Sequence, residues 1–193
     1  MLANFFSIGN RNYLNNAVVI AHALEFINEN YPKSQNFKIQ FKKPFLSQGE
    51  FTIGTVKVDG HIMGQFICND VQFYFSYAPT DIKLEDKNVS SNDIENTITP
   101  FTLCYHITDA CRGVIETGFE KVYGPMTEDD KVIFAVFEIP NTSVFSDVIE
   151  SKIIPKITIS EAEQTGDRRF KTSVFFNGVL LGHRHSTVRK FIV

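Results

Sequence analysis

Two ionisable residues stand where an apolar run would otherwise hold only Leu, Val or Ala. They are His106 and Asp109, in the stretch Leu103-Cys104-Tyr105-His106-Ile107-Thr108-Asp109-Ala110. Burying an ionisable side chain is costly unless it is paired, hydrogen-bonded or neutralised, so both residues need a reason. A carboxylate of tuned pKa at a helix end can orient or activate a water, and an imidazole can serve as general acid beside it. Three residues apart, the two share a face if the segment is helical. The plain alternative is that Asp109 caps a helix or lies in a solvated linker, with His106 merely pairing with it.

Other candidates are weaker. His183 and His185, two apart on a strand, point the same way and have metal-ligand character, but no third ligand is in sight, and an exposed strand face explains them. His22 falls on a polar stripe with Glu25. Asn12, Tyr13, Asn15 and Asn16 would line the start of the first helix, where free N–H groups bind an oxyanion or phosphate; plain capping accounts for them as well. Cys68, Cys104 and Cys111 are odd in number, lack metal-ligand spacing and read as reduced and buried. There is no glycine-rich phosphate loop, no serine nucleophile elbow and no zinc spacing, so neither a metal nor a cofactor is expected.

The elements that must position these residues follow from period and punctuation. Nearly every residue from Leu14 to Ile27 is apolar except Asn15, Asn16, His22 and Glu25, which predicts a helix buried on most faces, ending near Asn30 before Pro32. Phe37, Ile39 and Phe41 alternate with lysines and Gln40, giving a strand. A second strand over Phe51–Val58 leads to Asp59-Gly60, a hairpin signal. Ile62–Cys68, the turn Asn69-Asp70 and the alternation of Val71, Phe73, Phe75 and Tyr77 complete an antiparallel meander. Pro79 to Thr99 is acidic, polar and aperiodic, and reads as a mobile linker. Pro100 suits a first helical turn, and the apolar segment runs to about Val114. Strands are predicted over Lys131–Ile139, Ile153–Ile159, Phe170–Phe176 and Leu180–Ile192, with turns at Gly166-Asp167 and Asn177-Gly178.

The helix-then-meander order appears twice, which suggests duplication. One register sets Gly60 and Asn69-Asp70 against Gly166 and Asn177-Gly178. Another sets Asp59 to Gly64 against Asn177 to Gly182. The expected domains are residues 1–79, an acidic linker over 80–99, and residues 100–193.

Several motifs resemble those of the double-hotdog acyl-CoA thioesterase family. Asn15 to Leu24 resembles its first core helix, and Phe37 to Pro44 its strand ending in a basic residue and proline. Leu103 to Asp109 is similar to the start of its second core helix, where the Asp is catalytic. Gly166 to Phe170 and Asn177 to Gly182 resemble its last hairpin. The family's helper Gln, beyond that turn, is replaced here by His185 or Ser186. The resemblance implies an α+β fold of two fused hotdog-like repeats, each a core helix wrapped by a curved antiparallel sheet. It implies an acyl-thioester hydrolase using an Asp109-activated water and acting on acyl-CoA or an acyl carrier protein; His106, by its spacing from Asp109, and Ser186, near the place of the missing Gln, are the expected supporting residues. A hotdog dehydratase or hydratase and a non-catalytic acyl-binding protein stand as alternatives. A homodimer is expected, because sheet edges need covering.

Composition narrows the rest. The 193 residues carry 19 Lys and Arg against 22 Asp and Glu, a formal charge of -3 that speaks against a nucleic-acid partner. Nineteen Phe and no Trp suit apolar walls without polar handles. No run approaches the ~18–20 apolar residues of a membrane span, and the first residues do not look like a secretory leader. A cytoplasmic protein is expected.

Overall fold

The structure is a computed structural model and describes residues 6–7, 16–42, 47–57, 62–83, 85–86 and 98–190. In chain order the elements are β1 (Phe6–Ser7), α1 (Asn16–Asn30), β2 (Gln35–Phe41), β3 (Ser47–Gly54), β4 (Ile62–Cys68), β5 (Val71–Lys83), β6 (Glu85–Asp86), α2 (Pro100–Tyr123), β7 (Asp130–Asn141), α3 (Ser143–Ser151), β8 (Ile157–Ile159), β9 (Glu163–Gly166), β10 (Arg169–Phe176) and β11 (Val179–Lys190). The fold is α+β. One nine-stranded sheet runs β3-β5-β4-β2-β7-β11-β10-β8, with β9 also on β10, and α1 and α2 pack together over it. β1 and β6 form a separate parallel pair.

The two halves of the chain meet at β2 and β7, which pair antiparallel from Gln35 opposite Asn141 to Gln40 opposite Val136. Alternation decides which side chains enter the core. Phe37, Ile39, Phe66, Phe73, Phe75, Phe137 and Ile139 turn inward under the helices. Their rings interlock, with Phe66 and Phe73 stacked at 4.8 Å between centroids. The buried residues of α1 lie all round it, from Ala17 to Ile27, as its near-continuous apolar run predicts.

Three expectations need correction. β5 continues to Lys83 and β6 reaches Asp86, so the acidic stretch begins as strand. Pro79 is tolerated because it lies past the last β4 partner and faces β3 alone. Residues 87–97 lie outside the described ones. Asp59-Gly60 also lies outside them, and the strands on either side of it, β3 and β4, are not neighbours, because β5 intervenes. Finally, α3 and β9 were not expected. Thr142-Ser143 followed by Val144, Phe145, Val148 and Ile149 at helical spacing was the available signal for α3.

The halves are alike up to a point. β4 and β11 hold the same place beside the central strands, and each brings a glycine under a central carbonyl. A Cβ on Gly64 would meet Gln40 O at 2.7 Å, and one on Gly182 would meet Glu138 O at 2.0 Å. But β4 opens its hairpin whereas β11 closes its own, so the two hairpins are inserted in opposite senses. The close approach at Gly182 makes a direct test. Gly182→Ala is expected to destabilise the chain by about 1–3 kcal/mol or more, because the atom it strikes is central-strand backbone that has no rotamer to give. Urea denaturation reads this, and an unchanged midpoint would contradict it.

A second anchor ties β7 to the β9–β10 turn. The buried carboxylate of Asp130 accepts from the Thr127 N–H at 3.0 Å and the Thr127 hydroxyl at 2.8 Å, and pairs with Arg168. The Arg168 guanidinium in turn lies 4.7 Å from the Phe119 ring centroid. The Thr127 bonds first, and then Arg168, hold the Asp130 pKa below its ordinary value. A depressed carboxylate adds stability above its unfolded pKa of about 3.9, and loses it as pH falls toward the folded value. Asp130→Asn should therefore melt lower at neutral pH and show a shallower fall in Tm between about pH 5 and 3. Parallel Tm–pH curves for the two proteins would contradict this.

Candidate functional site

α2 carries the residues on which the sequence reading rests. Its start is fixed by a capping box: Thr99 accepts from the Thr102 N–H at 3.1 Å, and Thr102 Oγ1 accepts from the Thr99 N–H at 2.9 Å. Pro100 occupies the first turn, where its missing N–H does no harm. Leu103, Ile107, Cys111, Ile115 and Phe119, four apart, make one buried stripe, joined by Cys104. Gly124, at φ 84°, ends the helix.

That stripe decides where the two ionisable residues go. His106 lies at its edge and is half-buried; Asp109 lies on the opposite flank and is exposed. Thr99 is the cap, so Asp109 is neither cap nor linker but a mid-helix residue facing solvent. Among the described residues no hydrogen bond or ion pair joins it to His106.

His106 opens onto a cleft of about 210 Å³ between the first turns of α2 and the segment from α3 to β8. Its wall is Ile98, Thr102, Leu103, Ile154, Pro155 and Ile157, so among the described residues His106 is its one ionisable side chain. Ile154, in that wall, is 57% exposed. This volume falls below the roughly 300 Å³ at which small-molecule sites usually begin and suits a short apolar chain.

Ser186 is buried on β11, away from that cleft, within a polar group that the sequence did not reveal. Arg184, 2% exposed, donates from Nε to Ser186 Oγ at 3.0 Å and from Nη1 to the Thr108 carbonyl of α2. Its guanidinium lies 4.7 Å from the Phe134 ring centroid. Burial lowers its pKa, opposed by the nearby Cys111 thiol, but a guanidinium remains protonated all the same. Burial also raises the pKa of Cys111, and that of Cys104 likewise, so both are inert thiols. Thr172 Oγ1 has no full hydrogen bond, and the thiol of Cys111 beside it offers only a weak one.

The remaining candidates are scattered. Asn16 opens α1 half-buried, and Asn12, Tyr13 and Asn15 lie outside the described residues. His22 Nδ1 is 3.2 Å from Glu25 Oε2, on the polar stripe where the sequence put it. His183 and His185 project from the outward face of β11, and Glu138 of β7 faces them. The hydrogen bond from Lys38 holds the pKa of Glu138 below its usual range, while burial and then Lys171 lower that of His183.

Among the described residues no helix is long and apolar enough to cross a membrane. No protein-family model and no curated protein matches the chain. Among solved structures it is similar to an acyl-ACP thioesterase from Bacteroides thetaiotaomicron VPI-5482, at 11% identity over 98% of this chain and 96% of that one, with TM-score 0.47. It is similar also to the 12:0-ACP thioesterase from Umbellularia californica, at 9% identity over 99% and 96%, TM-score 0.40. A hotdog-fold protein of unknown function from Alicyclobacillus acidocaldarius follows at 9% identity over 95% and 89%, TM-score 0.32. The similar structures are thioesterases and a hotdog-fold protein, and at these identities and TM-scores none of them fixes an activity for this chain.

Proposed function

We propose that this chain is an acyl-thioester hydrolase built from two fused hotdog-like units, with the cleft at the start of α2 as its acyl site. One observation carries the reading: among the described residues, His106 is the single ionisable group on a wall that is apolar but for Thr102. An apolar wall takes up a hydrocarbon chain by removing it from water, and an imidazole at its edge is a side chain able to act as general base. In the reaction, a water loses its proton to His106 as its oxygen bonds to the thioester carbonyl. The tetrahedral intermediate then collapses, the carbon–sulfur bond breaks, and the leaving thiolate takes that proton back from the His106 imidazolium. The thioester class rests on the motifs of Leu103 to Asp109 and of the last hairpin. Asp109 stays in the proposal as the rival base, one helical turn away. The homodimer also remains proposed, because the sheet ends in β3 on one side and β8 on the other; light scattering giving a strict monomer would remove it.

The test is a panel of acyl-CoA and acyl-carrier-protein substrates of increasing chain length, with released thiol as the readout. Turnover is expected for short chains and should fall off once the chain outgrows the cleft. No turnover of any member would overturn the hydrolase reading. Binding of the same chains without turnover would establish the non-catalytic acyl-binding reading, which the lack of a carboxylate partner for His106 among the described residues favours.

A further inference from the structure

Large aliphatic side chains in water are ordinary when they stand singly. Four gather at one end of the sheet. Ile153 and Ile154, in the segment after α3, are 69% and 57% exposed, and Val179 and Leu180, at the start of β11, are 56% and 38% exposed. Sheet register brings the two pairs together. Ile157 of β8 lies opposite Phe176 of β10, and backbone bonds carry the ladder one step further. The Asn177 N–H donates to the Lys156 carbonyl at 3.0 Å, and the Lys156 N–H donates to Asn177 Oδ1 at 2.9 Å. Both tips are tight turns. Lys152 ends α3 at φ 54°, the Ile153 N–H donates to Ser151 Oγ at 3.2 Å, and Asn177 and Gly178 turn at φ 49° and 83°. Lys152 and Lys156 stand exposed on either side of Ile153 and Ile154. Glu150, the acid nearest in sequence, lines a different groove with Leu24 and Asn28 of α1.

We propose that this end of the sheet is a docking surface for a bilayer containing anionic lipid. Two turns tipped with aliphatic side chains enter a deformable interface without the matching hollows that a protein partner would have to supply. The lysines keep their ammonium groups among anionic headgroups while their stems lie along the apolar tips. The chain as a whole carries a formal charge of -3, so attraction to an anionic surface has to come from a local cluster such as this one. The same charges disfavour a second copy here. An isologous contact sets a surface against itself, which would bring Lys152 and Lys156 of both copies together. Ile154 also belongs to the wall of the α2 cleft, so docking sets that cleft beside the hydrocarbon, where an acyl chain enters without crossing water. The docking itself does not depend on turnover in the cleft.

The full chain is sedimented with vesicles of phosphatidylcholine containing about 30% phosphatidylserine, and with vesicles of phosphatidylcholine alone. Saturable binding to the anionic vesicles is expected, roughly tenfold or more weaker to the neutral ones, and weakened by about 0.5 M salt. Ile153→Glu and Lys156→Glu should each lower the affinity by about tenfold or more. Val122→Glu makes the same change of charge at an aliphatic residue 51% exposed in the last turn of α2, and should bind within about twofold of the parent. All three side chains are exposed, so circular dichroism should show the parent fold in each variant. Absence of binding to the anionic vesicles, or binding that Ile153→Glu leaves intact, would overturn the surface. A parent dimer that Ile153→Glu dissociates, with no vesicle binding by the parent, would assign these residues to a second copy and overturn it as well.

Discussion

Replacing His106 with Asn is expected to lower kcat/KM for a short acyl thioester by ~10²–10⁴-fold, the usual loss when a general base is removed. The side chain is half-buried at the rim of the cleft, so the fold should survive, and circular dichroism should show this. Asp109→Asn is the paired measurement. An exposed mid-helix carboxylate without a contact to His106 should change the rate by less than about tenfold. The opposite pattern, with His106→Asn active and Asp109→Asn dead, would move the base to Asp109 and show that the carboxylate reaches substrate from a surface lying outside the cleft.

The largest expected stability loss lies on the inner face of β11. Arg184→Ala should cost about 2–4 kcal/mol, a fall in Tm of roughly 5–15 °C. The substitution removes the stem packed on Phe134, the donor to Ser186 and the donor to the Thr108 carbonyl. Arg184→Met should cost less than half as much, because it keeps the stem while ending the burial of a charge that makes no ion pair among the described residues. Equal losses for Ala and Met would mean that the guanidinium bonds, not the packing, hold α2 to the sheet. An Ala variant within about 0.5 kcal/mol of the parent would contradict the whole description.

Where side-chain period was local, the sequence disclosed the fold. Phe37, Ile39 and Phe41, the Val71–Tyr77 alternation, and the turns at Asn69-Asp70 and Asn177-Gly178 all lie where period and turn chemistry put them. What needed long-range pairing did not show. Nothing local tells β3 to pair with β5 rather than β4, since strand order depends on contacts far apart in sequence. The exposure of Asp109 stayed hidden for a related reason. With the helix stopped near Val114, the run around it looks apolar on every side. Followed to Tyr123, the four-residue stripe from Leu103 to Phe119 sets Asp109 on the solvent flank. Arg184 stayed hidden because alternation along His183-Arg184-His185-Ser186 leaves two phases, and only sheet register says which one faces the core. The wall formed by Ile154, Pro155 and Ile157 comes from a segment read as plain strand, so the cleft itself could not be foreseen.

The central claim, that an acyl thioester lies against His106, is tested most directly by histidine ¹H–¹⁵N resonances during titration with a non-hydrolysable short-chain acyl thioether of coenzyme A. The chain has five histidines, His22, His61, His106, His183 and His185, so each signal can be assigned by single substitution. The account expects the His106 resonances to shift saturably while those of His22, His183 and His185 stay in place. An unmoved His106 at saturating ligand, or a shift confined to another histidine, would contradict it.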